Sequence, residues 1–230
     1  MNTPDTPPPA LPQHFNLDFA IPLAIDTRRL DWLPSPAAGV RRKPLEREQA
    51  ESGHTTSLVE YAPGTAFASH LHPRGEEIFV LEGVFSDESG DFPAGSYLRN
   101  PPGSRHAPFS REGCVIFVKL NQFAPDDLQP VRLSAESGYW QVLDDGRQQR
   151  LLHRFGRTCT TLERWPAGLS VPAHPAGEER LLLAGELSDG DTHHPSGSWL
   201  RTPRGDQRTW HALTDSLLLV KTGHLPGAPR

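Results

Sequence analysis

Apolar residues in this chain come in short runs, and polar or turn-forming residues interrupt each run before a helix could form. Thr56 to Tyr61, Glu77 to Leu81 and Val115 to Leu120 are rich in β-branched and aromatic residues and are bounded by Gly or Pro clusters. That texture predicts strands. Parts of Arg180 to Leu183 and Ser216 to Val220 read the same way. No segment keeps a 3.6-residue apolar period for three turns, so the pattern predicts an all-β chain.

The pattern also repeats. Gly64 and His70 match Gly168 and His174 at a shift of 104, and Glu76, Gly83, Asp87, Gly95, Pro101, Gly103 and Lys119 match Glu178, Gly185, Asp189, Gly197, Pro203, Gly205 and Lys221 at a shift of 102. The second copy is therefore shorter by two residues between His174 and Glu178. Each copy holds enough short strands for its own sandwich or barrel. The stretch from about Phe123 to Ser137, with two Pro and two adjacent Asp, reads as the connection.

Composition agrees with this reading. With 24 Pro and 20 Gly in 230 residues, turns and short strands are favoured over long helices. The net charge of −5 and the lack of any basic stripe beyond Arg41, Arg42 and Lys43 argue against nucleic acid as a partner. Cys114 and Cys159 fall in different copies within apolar runs, which fits reduced thiols and a cytoplasmic location. The Pro-rich start, residues 1–16, lacks the charged and apolar parts of a signal peptide and is expected to be loosely ordered. No apolar run approaches the length that spans a membrane, so no membrane association is expected.

The chemistry concentrates in the first copy. If Ala68 to His72 is a strand, His70 and His72 share a face and form a chelating pair. The turn Pro73-Arg74-Gly75 lets Glu76 re-enter from the same side, and Pro101 with Gly103 starts a strand that brings in His106. Glu77 competes with Glu76, because neighbouring strand residues face opposite ways; the spacing to Gly83 favours Glu76. Three imidazoles and one carboxylate suit one divalent transition metal: zinc, iron(II), manganese, nickel or copper(II). Calcium or magnesium prefers oxygen ligands.

These two blocks, Gly64 to Gly83 and Gly95 to His106, resemble both motifs of the cupin superfamily with every spacing intact. The Asn that many members carry after three intervening residues beyond the last His is replaced by Ser110. More narrowly, His70 to Glu88 with Gly95-Ser-Tyr and Pro102-Gly-Ser-Arg-His resembles the ChrR-like cupins, and Trp32, Pro34 and Gly39-Val40 look like that group's lead-in strands. The resemblance implies two tandem cupin barrels of the double-stranded β-helix, jelly-roll type, a bicupin: a metal-binding domain over 17–123, a linker over 124–137 and a degenerate domain over 138–230. It implies metal ligands His70, His72, Glu76 and His106, with zinc or iron(II) as the leading metals.

In the second copy His174 keeps the first ligand position, but Ala176 and Arg208 replace two ligands and Glu178 sits early. His211, or His193 and His194, offer material for a rebuilt site; ordinary polar roles are preferred. Trp140, Trp165 and Trp199 are expected to fill cores or interfaces, Glu136, Asp144 and Asp145 to be solvated turn charges, and His54 and His153 to be surface or core residues.

The resemblance carries three functional readings. Relatives include acetylacetone-cleaving dioxygenases, which implies a metal-dependent dioxygenase acting on a small carbonyl compound. Phe67, Phe79 and Tyr97 are then candidate pocket walls, and Arg99 or Arg105 a candidate anion holder. The group's namesake is an anti-sigma factor whose cupin senses an oxidative signal, which implies a sensor. That protein's helical zinc domain has no counterpart here, since residues 1–50 hold no Cys and only His14. The third reading is a structural zinc site. A small-molecule ligand and a homodimer complete the expectation.

Overall fold

A computed structural model of the chain describes residues 14–49 and 53–226. The expectation of loose order at the start falls outside these residues for positions 1–13. Phe15 pairs with Arg47, and the Asn16 side chain donates to the Leu45 carbonyl at 2.7 Å. Apart from one short 3-10 turn at Thr27–Arg29, every regular element among the described residues is a strand, as the short interrupted runs predict.

The chain divides into two units. In the first, the long strand Glu76–Asp87 pairs antiparallel with Cys114–Leu120 on one side and Tyr97–Asn100 on the other. The sheet continues through Thr55–Tyr61, Val40–Arg47 and Leu33–Pro34 at one edge and Val131–Leu133 at the other. Past its midpoint Glu76–Asp87 leaves these partners to pair with Gly90–Pro93 and Phe109–Ser110. His70–Leu71 pairs separately with Arg105–His106. This strand-switching layout is a jelly roll. Ile78, Val80, Leu98, Val59, Tyr61 and Ile116 meet in its core, all nearly inaccessible to water, and each such side chain contributes roughly 1.5–3 kcal/mol by burial.

The second unit repeats the layout. Its larger sheet runs Leu23–Asp26, Ser198–Thr202, Glu178–Ala184, Ser216–Thr222, Thr158–Trp165, Gln148–Phe155 and Gln141–Val142, and its smaller sheet runs Ser170–Pro172, Thr209–Ala212, Glu186–Ser188 and His193–Pro195. Trp165, Trp210, Leu182 and Leu218 form its core. Trp199 is also fully buried, whereas Trp140 is only partly covered and lies under the Arg164 guanidinium at 4.0 Å. Glu136, Asp144 and Asp145 are exposed, as turn charges should be.

The units do not follow the boundaries 17–123 and 138–230. Asp18–Leu30 belongs with the second unit, because Leu23–Asp26 adds an edge strand along Ser198–Thr202. The expected linker contributes Val131–Leu133 to the first unit's sheet. Short strands of this kind carry little local signal, and their place is set by the sheet edge that accepts them. No helix among the described residues is long and apolar enough to cross a membrane. Cys114 and Cys159 are both free and buried, one in each unit.

Candidate metal centre

His70, His72, Glu76 and His106 each offer one donor atom, and these four atoms lie within 4.8 Å of one another. Short-range pairing explains the convergence. His106 stands directly opposite His70 in the register of Arg105–His106 with His70–Leu71. The strand is shorter than the expected Ala68 to His72, but His72 is held in line by its backbone N–H, which donates to the Ser104 carbonyl at 2.9 Å. The turn back to Glu76 passes through Gly75 at φ +81°, where a β-carbon would sit 2.4 Å from the Phe123 ring. Only glycine fits both that φ and that contact.

Glu76 is the carboxylate that joins the histidines. Its Oε2 lies 3.4 Å from His72 Nε2 and 3.3 Å from His106 Nε2. Donors about 2.1 Å from a common ion stand roughly 3.0 Å apart at right angles and roughly 3.4 Å apart at tetrahedral angles, so these spacings fit ligation. Glu77 faces the other side of the sheet, where it accepts from the Tyr97 hydroxyl at 2.5 Å and lies 3.7 Å from Arg99.

The imidazoles are oriented for the same purpose. His70 Nδ1 lies 3.2 Å from the Ala68 carbonyl, His72 Nδ1 lies 3.3 Å from Ser104 Oγ, and His106 Nδ1 lies 3.3 Å from Asp87 Oδ2. With Nδ1 turned outward, the Nε2 lone pairs face the common point, and the buried Nε2 atoms of His72 and His106 have no hydrogen-bond partner. Two buried acceptors without a hydrogen-bond partner beside a carboxylate fit a shared cation. Burial lowers the His72 pKa from its ordinary value, and the nearby Glu76 charge offsets this only in part. Neutral His72 is the form a metal needs.

Sequence reasoning missed the supporting residues. Asn100 donates to Glu76 Oε2 at 2.8 Å and accepts from Arg132 at 2.6 Å. Asp87 holds His106. Burial raises the Asp87 pKa, but hydrogen bonds from His106 and Ser89 overcome that and hold the carboxyl at about 2. The match of Asp87 with Asp189 in the repeat was the one signal that could have singled it out.

A cavity of about 360 Å³ opens beside His70, His72 and Glu76. Phe67 lines it as expected, together with Val59, Tyr61 and Ile116. Phe79 and Tyr97 do not: they pair with each other on the face opposite Ile78 and Leu98. Arg99 is engaged with Asp127 and Glu77, and Arg105 is exposed. The arginines that reach the cavity are Arg42 and Arg47, from the neighbouring strand Val40–Arg47, and the Arg42 Nε is buried without a hydrogen-bond partner.

In the second unit no equivalent cluster forms among the described residues. His211 pairs with Ser170 at 2.8 Å, His193 lies 3.2 Å from Glu186, and His194 lies 3.3 Å from Asp189. Arg208, in place of the last histidine, lies 3.5 Å from that same Asp189.

Comparison with known proteins agrees with this architecture. A dioxygenase candidate of Nostoc punctiforme superposes with a TM-score of 0.74 at 18% identity, covering 92% of this chain and 88% of that one. A candidate glyoxylate-induced protein of Pseudomonas aeruginosa gives 0.71 at 14%, covering 96% and 95%. The bacterial pirin YhhW of Escherichia coli, solved with nickel(II), gives 0.65 at 12%, covering 88% and 98%. At such identities these likenesses speak for the fold. Among curated proteins none matches significantly. The family model for the ChrR cupin-like domain matches residues 22–124 and again 129–226, so the chain belongs to the ChrR cupin-like family as a tandem of two such domains.

Proposed function

We propose that the chain is a metal-dependent oxidoreductase of dioxygenase type that acts on a small carbonyl compound in the first unit. The observation that carries this reading is a cluster of four convergent donors, three of which, His70, His72 and Glu76, stand in the wall of a cavity beside apolar side chains such as Val59, Phe67 and Ile116. A site meant only to clamp strands has no use for such a cavity. The metal-bearing pirin and the dioxygenase candidate among proteins of the same fold support it.

His70, His72, Glu76 and His106 would hold the metal, with iron(II) the form suited to oxidation and zinc the alternative. A divalent ion held there supplies Lewis-acid activation of a substrate oxygen and, as iron(II), reactivity towards dioxygen. The protein does the rest. Asp87 and Ser104 fix the imidazole orientations, and Asn100 fixes the carboxylate. Val59, Phe67 and Ile116 exclude water and receive the apolar part of the substrate. Arg42 offers its buried N–H to a substrate carbonyl or enolate oxygen, where a charge-assisted hydrogen bond is strong.

The test is anaerobic loading of the purified chain with iron(II), followed by oxygen-uptake measurements with β-diketones, 2-oxo acids and simple ketones. Uptake coupled to carbonyl loss, abolished in His72→Ala, is the expected result. No uptake with any of them would overturn the enzymatic reading in favour of a metal-dependent sensor.

A further inference from the structure

The second unit carries a cavity of about 350 Å³ that holds no metal-ligating cluster among the described residues yet is far from apolar. It stands on the same strands as the first. Glu163 pairs with Gln149 across Thr158–Trp165 and Gln148–Phe155, just as Val59 pairs with Arg42 across the corresponding strands of the first unit. The wall that is Val59 in the metal-binding unit is thus Glu163 here, and Thr161 and Thr222 add hydroxyls. A degenerate barrel that had merely lost its metal would be expected to fill with apolar side chains. This one filled with arginine.

Arg180 is buried, 2% exposed, with its guanidinium over the rings of Trp165 and Trp210 at 5.2 and 5.1 Å. Its Nη1 forms an ion pair with Glu178 Oε1 at 2.7 Å, and neither its buried Nε nor its Nη1 has a hydrogen-bond partner. Arg147 lies 3.1 Å from Glu163 and 2.8 Å from Asp145. The two carboxylates that line the cavity are therefore each matched by an arginine. Arg154 and Arg157 also line it, are exposed, and have no acidic partner within ion-pair distance among the described residues. The lining holds four arginines against two glutamates, and the buried Arg180 carries unsatisfied N–H groups.

We propose that the second unit is a metal-independent binding site for a small organic anion bearing carboxylate or phosphate groups. Arg154 and Arg157 take one anionic group at the mouth, and the buried Arg180 Nε–H donates to the ligand. Planar guanidinium groups match the oxygen pairs of both carboxylate and phosphate, so the two share one recognition chemistry.

The test uses the full chain carrying His72→Ala and His106→Ala, so that no ligand can bind through a metal in the first unit. Succinate and inorganic phosphate are titrated by calorimetry, and thermal unfolding is followed in parallel, with succinamide and chloride as controls. One anion site per chain is expected, with a higher unfolding temperature. Binding should weaken by at least about tenfold in Arg154→Gln/Arg157→Gln, both exposed positions at which folding is unaffected. Preference for one anion over the other identifies the class of natural ligand. The proposal is overturned if neither anion binds, if chloride does as well, or if the paired arginine substitution leaves the affinity unchanged.

Discussion

His106 Nδ1 lies 3.3 Å from Asp87 Oδ2, with both side chains buried. A carboxylate on the outer nitrogen fixes the ring and raises the basicity of the inner one, and such partners are commonly worth 10- to 100-fold in metal affinity. Asp87→Asn should therefore weaken metal binding by about 10- to 100-fold, measured by competition with a chelator of known affinity. Unchanged affinity would mean that the contact orients nothing.

About one divalent metal per chain is expected by elemental analysis of protein purified without chelators, and it should be lost in His72→Ala and in His106→Ala. His174→Ala should leave the content unchanged, because no ligand cluster containing His174 forms among the described residues. Loss should also follow acidification. Burial keeps His72 neutral below the ordinary histidine range, but once pH falls through that lowered pKa the proton competes with the metal. Occupancy independent of pH would rule out histidine ligation.

Gly75 occupies a left-handed conformation with the Phe123 ring against it. Gly75→Ala brings both strain and a clash, so we expect a loss of roughly 1–3 kcal/mol in urea unfolding, together with weaker metal binding because the turn sets Glu76. A neutral effect would show that the turn and ring give way freely.

Burial raises the Cys114 thiol to about 11, against a smaller lowering by its hydrogen bond with Ser110. Burial likewise raises Cys159. Native protein should not react quickly with a thiol reagent at about pH 8, and both thiols should titrate after unfolding. The sign for stability follows: the Cys114 contribution is complete below its ordinary value of 9.0 and is lost as pH rises towards about 11. Rapid native labelling at pH 8 would contradict the burial of these strands.

The sequence by itself determined the all-β class, the tandem repeat and the four candidate ligands. Short runs of β-branched and aromatic residues, Gly and Pro turns and the spacings within each of the two motif blocks are all local quantities, read along a short stretch of chain. The preference for Glu76 over Glu77 was legible, and the sheet places Glu76 with the histidines and Glu77 beside Tyr97 on the opposite face. What the chain could not reveal lies where strands distant in sequence become neighbours. Arg42 at the cavity, Asp87 behind His106, Asn100 beside Glu76 and the edge strand Leu23–Asp26 in the second unit all depend on register between such strands. Arg99 was misread for the same reason, since its partner Asp127 arrives from a segment that looked like linker. Pairing across a jelly roll is a property of the assembled sheet, where a side chain's surroundings are supplied by residues dozens of positions away.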